Sequence, residues 1–170
     1  MMDLAPVVII AVGNPSRGDD ALGPMLMERL ADWLDANGKA AEVDLIEDFQ
    51  LQVEHAMDLQ DRRLVLFVDA GTGTPAPYSL GELRPTADFG HTTHAISPGA
   101  VLHVYQETLG GEAPPCFVLC IRGEAFELGA HLSEQATAHL VEAFKKVQYL
   151  LDHPDVAAWQ AATTGMASIH

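Results

Sequence analysis

The chain has 170 residues, of which 48% are hydrophobic and 19% charged, which indicates one folded domain and excludes a disordered chain. Lys and Arg number 9 against 24 Asp and Glu, a formal net charge of −15, so nucleic acid and anionic membrane surfaces are unfavourable partners. No apolar run reaches the roughly 20 residues of a membrane span. The N-terminus carries an acid where a secretion signal carries basic residues, so we expect a cytoplasmic protein.

Strand and helix patterns alternate along the chain. Val7–Val12 is a continuous apolar, β-branched run, typical of a buried parallel strand. Further strands are predicted over 42–46, 64–68 and 117–121, with a weaker strand over 78–83 that suits an antiparallel edge. Helices are predicted from about residue 21 or 24 to 36, and over 50–59, 98–109 and 134–151, with Ser97 and Ser133 as the caps of the last two.

This alternation predicts an α/β fold, a three-layer αβα sandwich whose twisted, mostly parallel sheet of about five strands has helices on both faces. We expect one domain over residues 1–170, with an Ala-rich tail that frays from about residue 152. A monomer is expected, since no additional apolar helix face requires a partner. Cys116 and Cys120 do not make a disulfide framework, and their spacing on a strand favours core packing for both.

The loop that follows the first strand carries two adjacent carboxylates. Its spacing, Gly13 to Gly18, matches the start of a Walker A loop, but Asp19 and Asp20 stand where that loop needs Lys and Ser or Thr. Because two carboxylates repel phosphate, the loop suits a cation and no nucleotide cofactor is expected. The alternative is helix capping, in which a carboxylate faces the positive end of the helix.

Other candidate ligands follow later in the chain. Asp69 ends the third predicted strand, at the sheet edge where the first loop also lies; its alternative role is a turn residue. His91 and His94 precede a predicted helix, and a solvated surface role is their alternative, above all for His91. Two carboxylates and an imidazole form a mixed oxygen and nitrogen set, which suits nickel or zinc better than magnesium.

Three motifs, in this order along the chain, resemble the nickel–iron hydrogenase maturation endopeptidases. They are the loop Gly13-Asn14…Asp19-Asp20…Gly23-Pro24, the strand end Val68-Asp69-Ala70, and the triplet Thr92-Thr93-His94. The resemblance extends from about residue 7 to 151 and implies a twisted five-stranded sheet between helices. It also implies a function: removal of a C-terminal extension from the hydrogenase large-subunit precursor once nickel has been inserted.

The resemblance further implies which residues act. Asp20, Asp69 and His94 match the family's metal-contacting and catalytic positions, with His91 as the fallback ligand and Asp19 as a possible aid to proton transfer. The nickel would be supplied by the substrate. Some members place their His after a Ser-Pro pair, but here Gly99 follows Ser97-Pro98, which favours the Thr-Thr-His form of the motif. The stretch 47–52 lacks the glycines that other members carry, which predicts a different large subunit as client.

Two other functions use the same residues. A nickel-sensing chaperone would bind the large-subunit precursor through Asp20, Asp69 and His94 without cutting it. A metal-dependent phosphoesterase would hold magnesium on Asp19, Asp20 and Asp69. The phosphoesterase is the weaker alternative, because the chain has no Lys or Arg cluster for phosphate and its net charge is strongly negative.

Overall fold

The computed structural model describes residues 4–85 and 96–164. Its strands are β1 Val7–Val12, β2 Val43–Asp48, β3 Leu64–Gly71, β4 Tyr78–Glu82 and β5 Cys116–Arg122. Its α-helices are α1 Leu22–Ala36, α2 Pro98–Leu109, α3 Glu134–Asp152 and α4 Val156–Ala161. Short 3-10 segments lie at Gly18–Ala21, Ala40–Glu42 and Val53–Leu59.

The five strands form one sheet in the order β2-β1-β3-β5-β4. β1, β2, β3 and β5 are parallel, and β4 pairs antiparallel with β5 at one edge. Ile9 lies opposite Leu45 on one side and Leu66 on the other. The predicted mostly parallel sheet and its antiparallel edge strand are therefore confirmed.

Helical segments cover both faces of the sheet, as the apolar runs predict. Every residue of β1 is buried, because a central parallel strand is covered on both sides. On one face the core contains side chains of α1, α3 and α4. On the other face it contains side chains of α2 and of the 3-10 segment Val53–Leu59. The predicted three-layer arrangement is confirmed, although the segment predicted as a helix over 50–59 is a 3-10 helix that begins at Val53.

Both predicted serine caps begin their helices. The Ser97 hydroxyl accepts a hydrogen bond from the backbone N–H of Ala100 at 3.1 Å, and Ser133 does the same for Ala136 at 3.1 Å. Each cap satisfies an N–H group that has no partner within the helix. The position of Ser97 also fixes where α2 meets the carboxyl edge of the sheet.

The prediction that the tail frays from about residue 152 is wrong for residues 153–164. These residues contain α4, whose Trp159 is fully buried. The Trp159 indole N–H donates to the carbonyl of Leu150 at 2.8 Å, and its ring meets Phe117 edge-on at 5.4 Å between centroids. A large aromatic side chain therefore anchors the segment, although its Ala-rich composition suggests weak packing. Within the described ranges, no helix has the length and apolarity to cross a membrane.

Candidate active site

An open cleft of about 580 Å³ lies at the carboxyl edge of the sheet, where β1 and β3 end. Gly13 and Asp20 from the first loop line it, together with Asp69 and Gly71 at the end of β3. Ser97, the cap of α2, lines another wall. Ligand sites of parallel α/β sheets lie at this edge, so the topology brings the two predicted carboxylates to one site.

The first loop is packed so closely that two of its positions require glycine. Gly13 has a φ of +151°, and a Cβ there would lie 2.1 Å from the carbonyl oxygen of Asp20. Gly18 has a φ of +57°, and a Cβ there would lie 2.3 Å from the carbonyl oxygen of Ala125. Side chains at either position would displace the backbone that presents Asp20.

Asp20 is half-buried and is held by its own loop. Its Oδ2 accepts a hydrogen bond from the backbone N–H of Asn14 at 2.7 Å. The loop is tied in turn to β2, because the N–H of Gly13 donates to the carbonyl of Asp48 at 3.1 Å. Within residues 4–85 and 96–164 no protein group donates a hydrogen bond to its other oxygen, Oδ1, and Asp20 lines the cleft.

Asp69 lines the cleft at the end of β3, and its side chain is exposed to solvent through the cleft opening although many protein atoms lie around it. This desolvation raises the pKa of Asp69 to about 6, with a further rise from the negative charge of Asp20. The hydrogen bond that the Ala70 N–H donates to Asp69 Oδ1, at 2.7 Å, opposes the rise. Two carboxylates that repel each other across a shared cleft are a favourable environment for a cation.

Asp19 has a different environment, although it is the neighbour of Asp20. It is fully buried and its Oδ2 accepts from the N–H groups of Glu124 and Ala125, at 2.6 and 3.0 Å. Ser133 donates its N–H to Oδ1 and its hydroxyl to Oδ2, both at 2.7 Å. Burial raises the pKa of Asp19, but these hydrogen bonds outweigh it and hold the pKa below its ordinary value. The arrangement favours a structural role, in which Asp19 fastens the first loop to the segment before α3.

Neither predicted histidine lies within the described residues, since His91 and His94 fall between 85 and 96. In the sequence, Ile96 follows His94 by two residues, and Ile96 lines the cleft. Within 4–85 and 96–164, no three His, Cys, Asp or Glu side chains come together as a metal site. The described part of the site is therefore a pair of carboxylates, Asp20 and Asp69.

Cleft residues that sequence analysis did not single out come from the end of β2 and from the start of α2. Phe49, Gln50 and Leu51 form a wall, and Phe49 is 69% exposed. The departure of residues 47–52 from the family pattern is the one feature of the sequence that could have pointed to this wall of the cleft. The N-terminal end of α2 at Ser97 also lines the cleft, and the N-terminus of a helix carries a partial positive charge.

Both cysteines lie on β5, on the face that carries α2. Cys116 is buried, as predicted, whereas Cys120 is half-buried next to Asp69 in the strand register. Burial raises the pKa of both thiols, and the charge of Asp69 adds to the rise at Cys120. Raised pKa values disfavour the thiolate form, so neither cysteine is a good nucleophile.

The strand order defines an α/β sandwich, and the two aspartates line a cleft where its parallel strands end. Solved protein structures share this fold. The hydrogenase maturating endopeptidase HybD from E. coli has a TM-score of 0.65 at 19% identity, over 87% of this chain and 93% of that one. The [NiFe] hydrogenase maturation protease HycI from Thermococcus kodakarensis also has a TM-score of 0.65, at 21% identity and with the same coverage. A hydrogenase 2 maturation peptidase from a Thaumarchaeota archaeon has 0.59 at 24% identity, over 86% of this chain and 97% of that one.

The chain therefore has the fold of the hydrogenase maturation endopeptidases, as its three motifs predict. No protein-family model matches the chain, and no curated protein sequence matches it. At 19–24% identity to these three solved structures, the likeness is one of fold.

Proposed function

We propose that this protein is an endopeptidase that removes the C-terminal extension of a nickel–iron hydrogenase large-subunit precursor after nickel insertion. The observation that carries the proposal is the pairing of Asp20 and Asp69 in one open cleft, within a fold shared with proteins named hydrogenase maturation endopeptidases. Neither the fold nor the carboxylate pair alone would support an activity.

The donor set of the cleft suits a substrate-borne nickel ion. Asp20 and Asp69 supply carboxylate oxygens, and His94, which the family motif adds, would supply a nitrogen. Borderline divalent metals accept such a mixed set. Because the ion belongs to the precursor, these residues need to recognise nickel rather than retain it, and two or three ligands from the protein are sufficient for that task.

The chain's own residues then have separate tasks. Asp20 and Asp69 bind the nickel-containing end of the precursor and thereby place the scissile peptide in the cleft. A nickel ion brought there by the precursor would polarise the scissile carbonyl and lower the pKa of nearby water. Asp69 must be ionised to act as a ligand, so its raised pKa, about 6, makes recognition weaker in acid. Asp19 holds the loop in place through its four hydrogen bonds.

The test uses the purified protein and a hydrogenase large-subunit precursor, prepared with and without nickel. The intact mass of the precursor is followed over time by mass spectrometry. We expect loss of a C-terminal peptide from the nickel-loaded precursor and no change in the nickel-free one. Persistence of the intact mass in both preparations, with a panel of candidate precursors, would contradict the proposal. Nickel-dependent complex formation without a mass change would instead support the non-cleaving chaperone.

A further inference from the structure

The edge strand β2 has one open side. It pairs with β1 along Val43–Asp48, and within residues 4–85 and 96–164 no other strand pairs with it. Its register against β1 runs without a bulge, and its sequence, Val-Asp-Leu-Ile-Glu-Asp, contains no Pro or Lys. Proteins commonly block pairing at a sheet edge with bulges, Pro and charged side chains, above all Lys. The charges of β2 are all acidic, Asp44, Glu47 and Asp48, so this edge disfavours an acidic strand and remains able to accept a basic one.

A groove of about 510 Å³ runs beside this edge, between β2 and α1. Leu45 and Glu47 of β2 line one side, and the exposed residues Glu28 and Ala31 of α1 line the other. Both sides therefore combine an apolar and an acidic side chain. An extended peptide that fits here would carry apolar and basic side chains on the face that enters the groove.

The open edge leads directly to the carboxylate cleft. Asp48, the last residue of β2, accepts a hydrogen bond from Gly13 N–H, and Phe49 and Gln50 continue from β2 into the cleft wall. Six residues of strand span about 20 Å. A chain paired along β2 would thus end beside the cleft wall formed by Phe49 and Gln50. From there it is three strand spacings, about 14 Å, to β3, which bears Asp69, so a few further residues of the chain would cross the cleft to reach the two aspartates.

We propose that the C-terminal extension of the precursor binds as an additional strand on β2, antiparallel to it, with basic side chains near Glu28 and Glu47. This inference rests on the proposed function, because it takes the precursor as the ligand. The direction follows from the chemistry: the extension begins after the scissile bond, which lies in the cleft. The extension therefore starts at the carboxyl end of β2 and runs toward Val43. Main-chain hydrogen bonds supply affinity, and the acidic groove selects the sequence.

The first experiment needs no cleavage. The probe is the blocked hexapeptide Lys-Thr-Leu-Thr-Lys-Thr, whose first, third and fifth side chains share one face. Its binding is measured by fluorescence, and protection of the amides of residues 43–48 is measured by hydrogen exchange. We expect slower exchange at the outward-facing amides of β2. Unchanged exchange over β2 at saturating peptide would overturn the inference.

Two N-methylated peptides provide the control for strand pairing, because alternate N–H groups of an edge strand point to its neighbour. One peptide is methylated at the odd positions and the other at the even positions. We expect one version to lose binding by at least about tenfold, the loss of one to two main-chain hydrogen bonds, while the other retains it. If both methylated peptides bind the protein with equal affinity, the proposed strand addition is wrong, regardless of how the protein variants bind peptide or process precursor.

The groove is tested with the double variant Glu28→Lys/Glu47→Lys. Its matched control is Glu107→Lys/Glu112→Lys, which changes the net charge equally at two exposed positions that do not line the groove. We expect the groove variant to bind the hexapeptide, and to process nickel-loaded precursor, at least about tenfold less well, an effect equivalent to a lost pair of close ionic contacts. The control should stay within about twofold in both assays.

The two assays separate the two proposals. Protection of β2 by the peptide without any processing of the precursor would contradict the endopeptidase and leave the strand site standing. Processing that is equally fast in the wild type and in Glu28→Lys/Glu47→Lys would contradict the strand site and leave the endopeptidase standing.

Discussion

Asp19 and Asp20 are adjacent in the sequence, yet they have different roles in the folded protein. Asp19 points into the protein and accepts four hydrogen bonds, whereas Asp20 lines the cleft. The sequence identifies both aspartates as candidate site residues, but it does not show which of them is structural and which lines the cleft. The donors to Asp19 come from Glu124, Ala125 and Ser133, more than 100 residues away. The sequence around Asp19 contains no pattern that predicts these long-range hydrogen bonds.

Asp19→Ala is expected to destabilise the fold strongly. It removes a buried carboxylate and leaves its donors without partners, which should lower the free energy of unfolding by about 3 kcal/mol. Because the pKa of Asp19 is lowered in the folded protein, its contribution is present above the unfolded value near 4 and is lost as the pH falls through the folded value. Urea unfolding at several pH values measures both effects. Asp20→Ala is the control, and an equal loss in both variants would contradict the division of roles.

Asp69 should give the opposite pH dependence. Its pKa rises from 3.8 to about 6 on folding, so the folded state resists ionisation and the protein loses stability as the pH rises through that range. Asp69→Asn removes this penalty. We expect the variant to gain stability relative to the wild type at pH 8 and to gain none at pH 4, as measured by urea unfolding. A gain in stability that is the same at both pH values would show that folding does not raise the pKa of Asp69.

At the level of elements, strand positions were predicted closely and the C-terminal segment was not. β1 coincides with its predicted range, and β3 contains its predicted run, because continuous apolar runs are typical of buried parallel strands. The C-terminal segment is short and Ala-rich, and a single aromatic residue determines whether it packs against the core. Trp159 packs on Phe117, near the start of β5, a contact that depends on tertiary structure alone.

Trp159→Ala should therefore behave as a core substitution. The side chain is fully buried, and its removal is expected to lower the free energy of unfolding by about 3–5 kcal/mol through lost burial and a cavity. Gln160→Ala, at the exposed neighbouring position, is the matched control and should change stability by less than about 1 kcal/mol. Thermal and urea unfolding give both values. A small effect of Trp159→Ala would mean that α4 contributes little to the core.

At the scale of the whole molecule, the parallel sheet explains why distant motifs meet. The loop after β1 and the end of β3 are separated by about fifty residues, yet both lie at the carboxyl edge because β1 and β3 are parallel neighbours. That rule made the Asp20 and Asp69 pairing predictable from the sequence. The cleft wall at Phe49 and the open edge of β2 depend on strand order and on loop packing, and sequence periodicity specifies neither of them.

The most direct test of the account compares Asp20→Asn and Asp69→Asn with Asp35→Asn, an exposed aspartate of α1, on the same nickel-loaded precursor. Loss of the C-terminal peptide is followed by intact mass, and folding of each variant is checked by circular dichroism. We expect both cleft variants to be folded and to process at least about a hundredfold more slowly, the scale of losing a key charged contact, while Asp35→Asn matches the wild type. Normal processing by the two folded cleft variants would contradict the claim that this cleft is the active site.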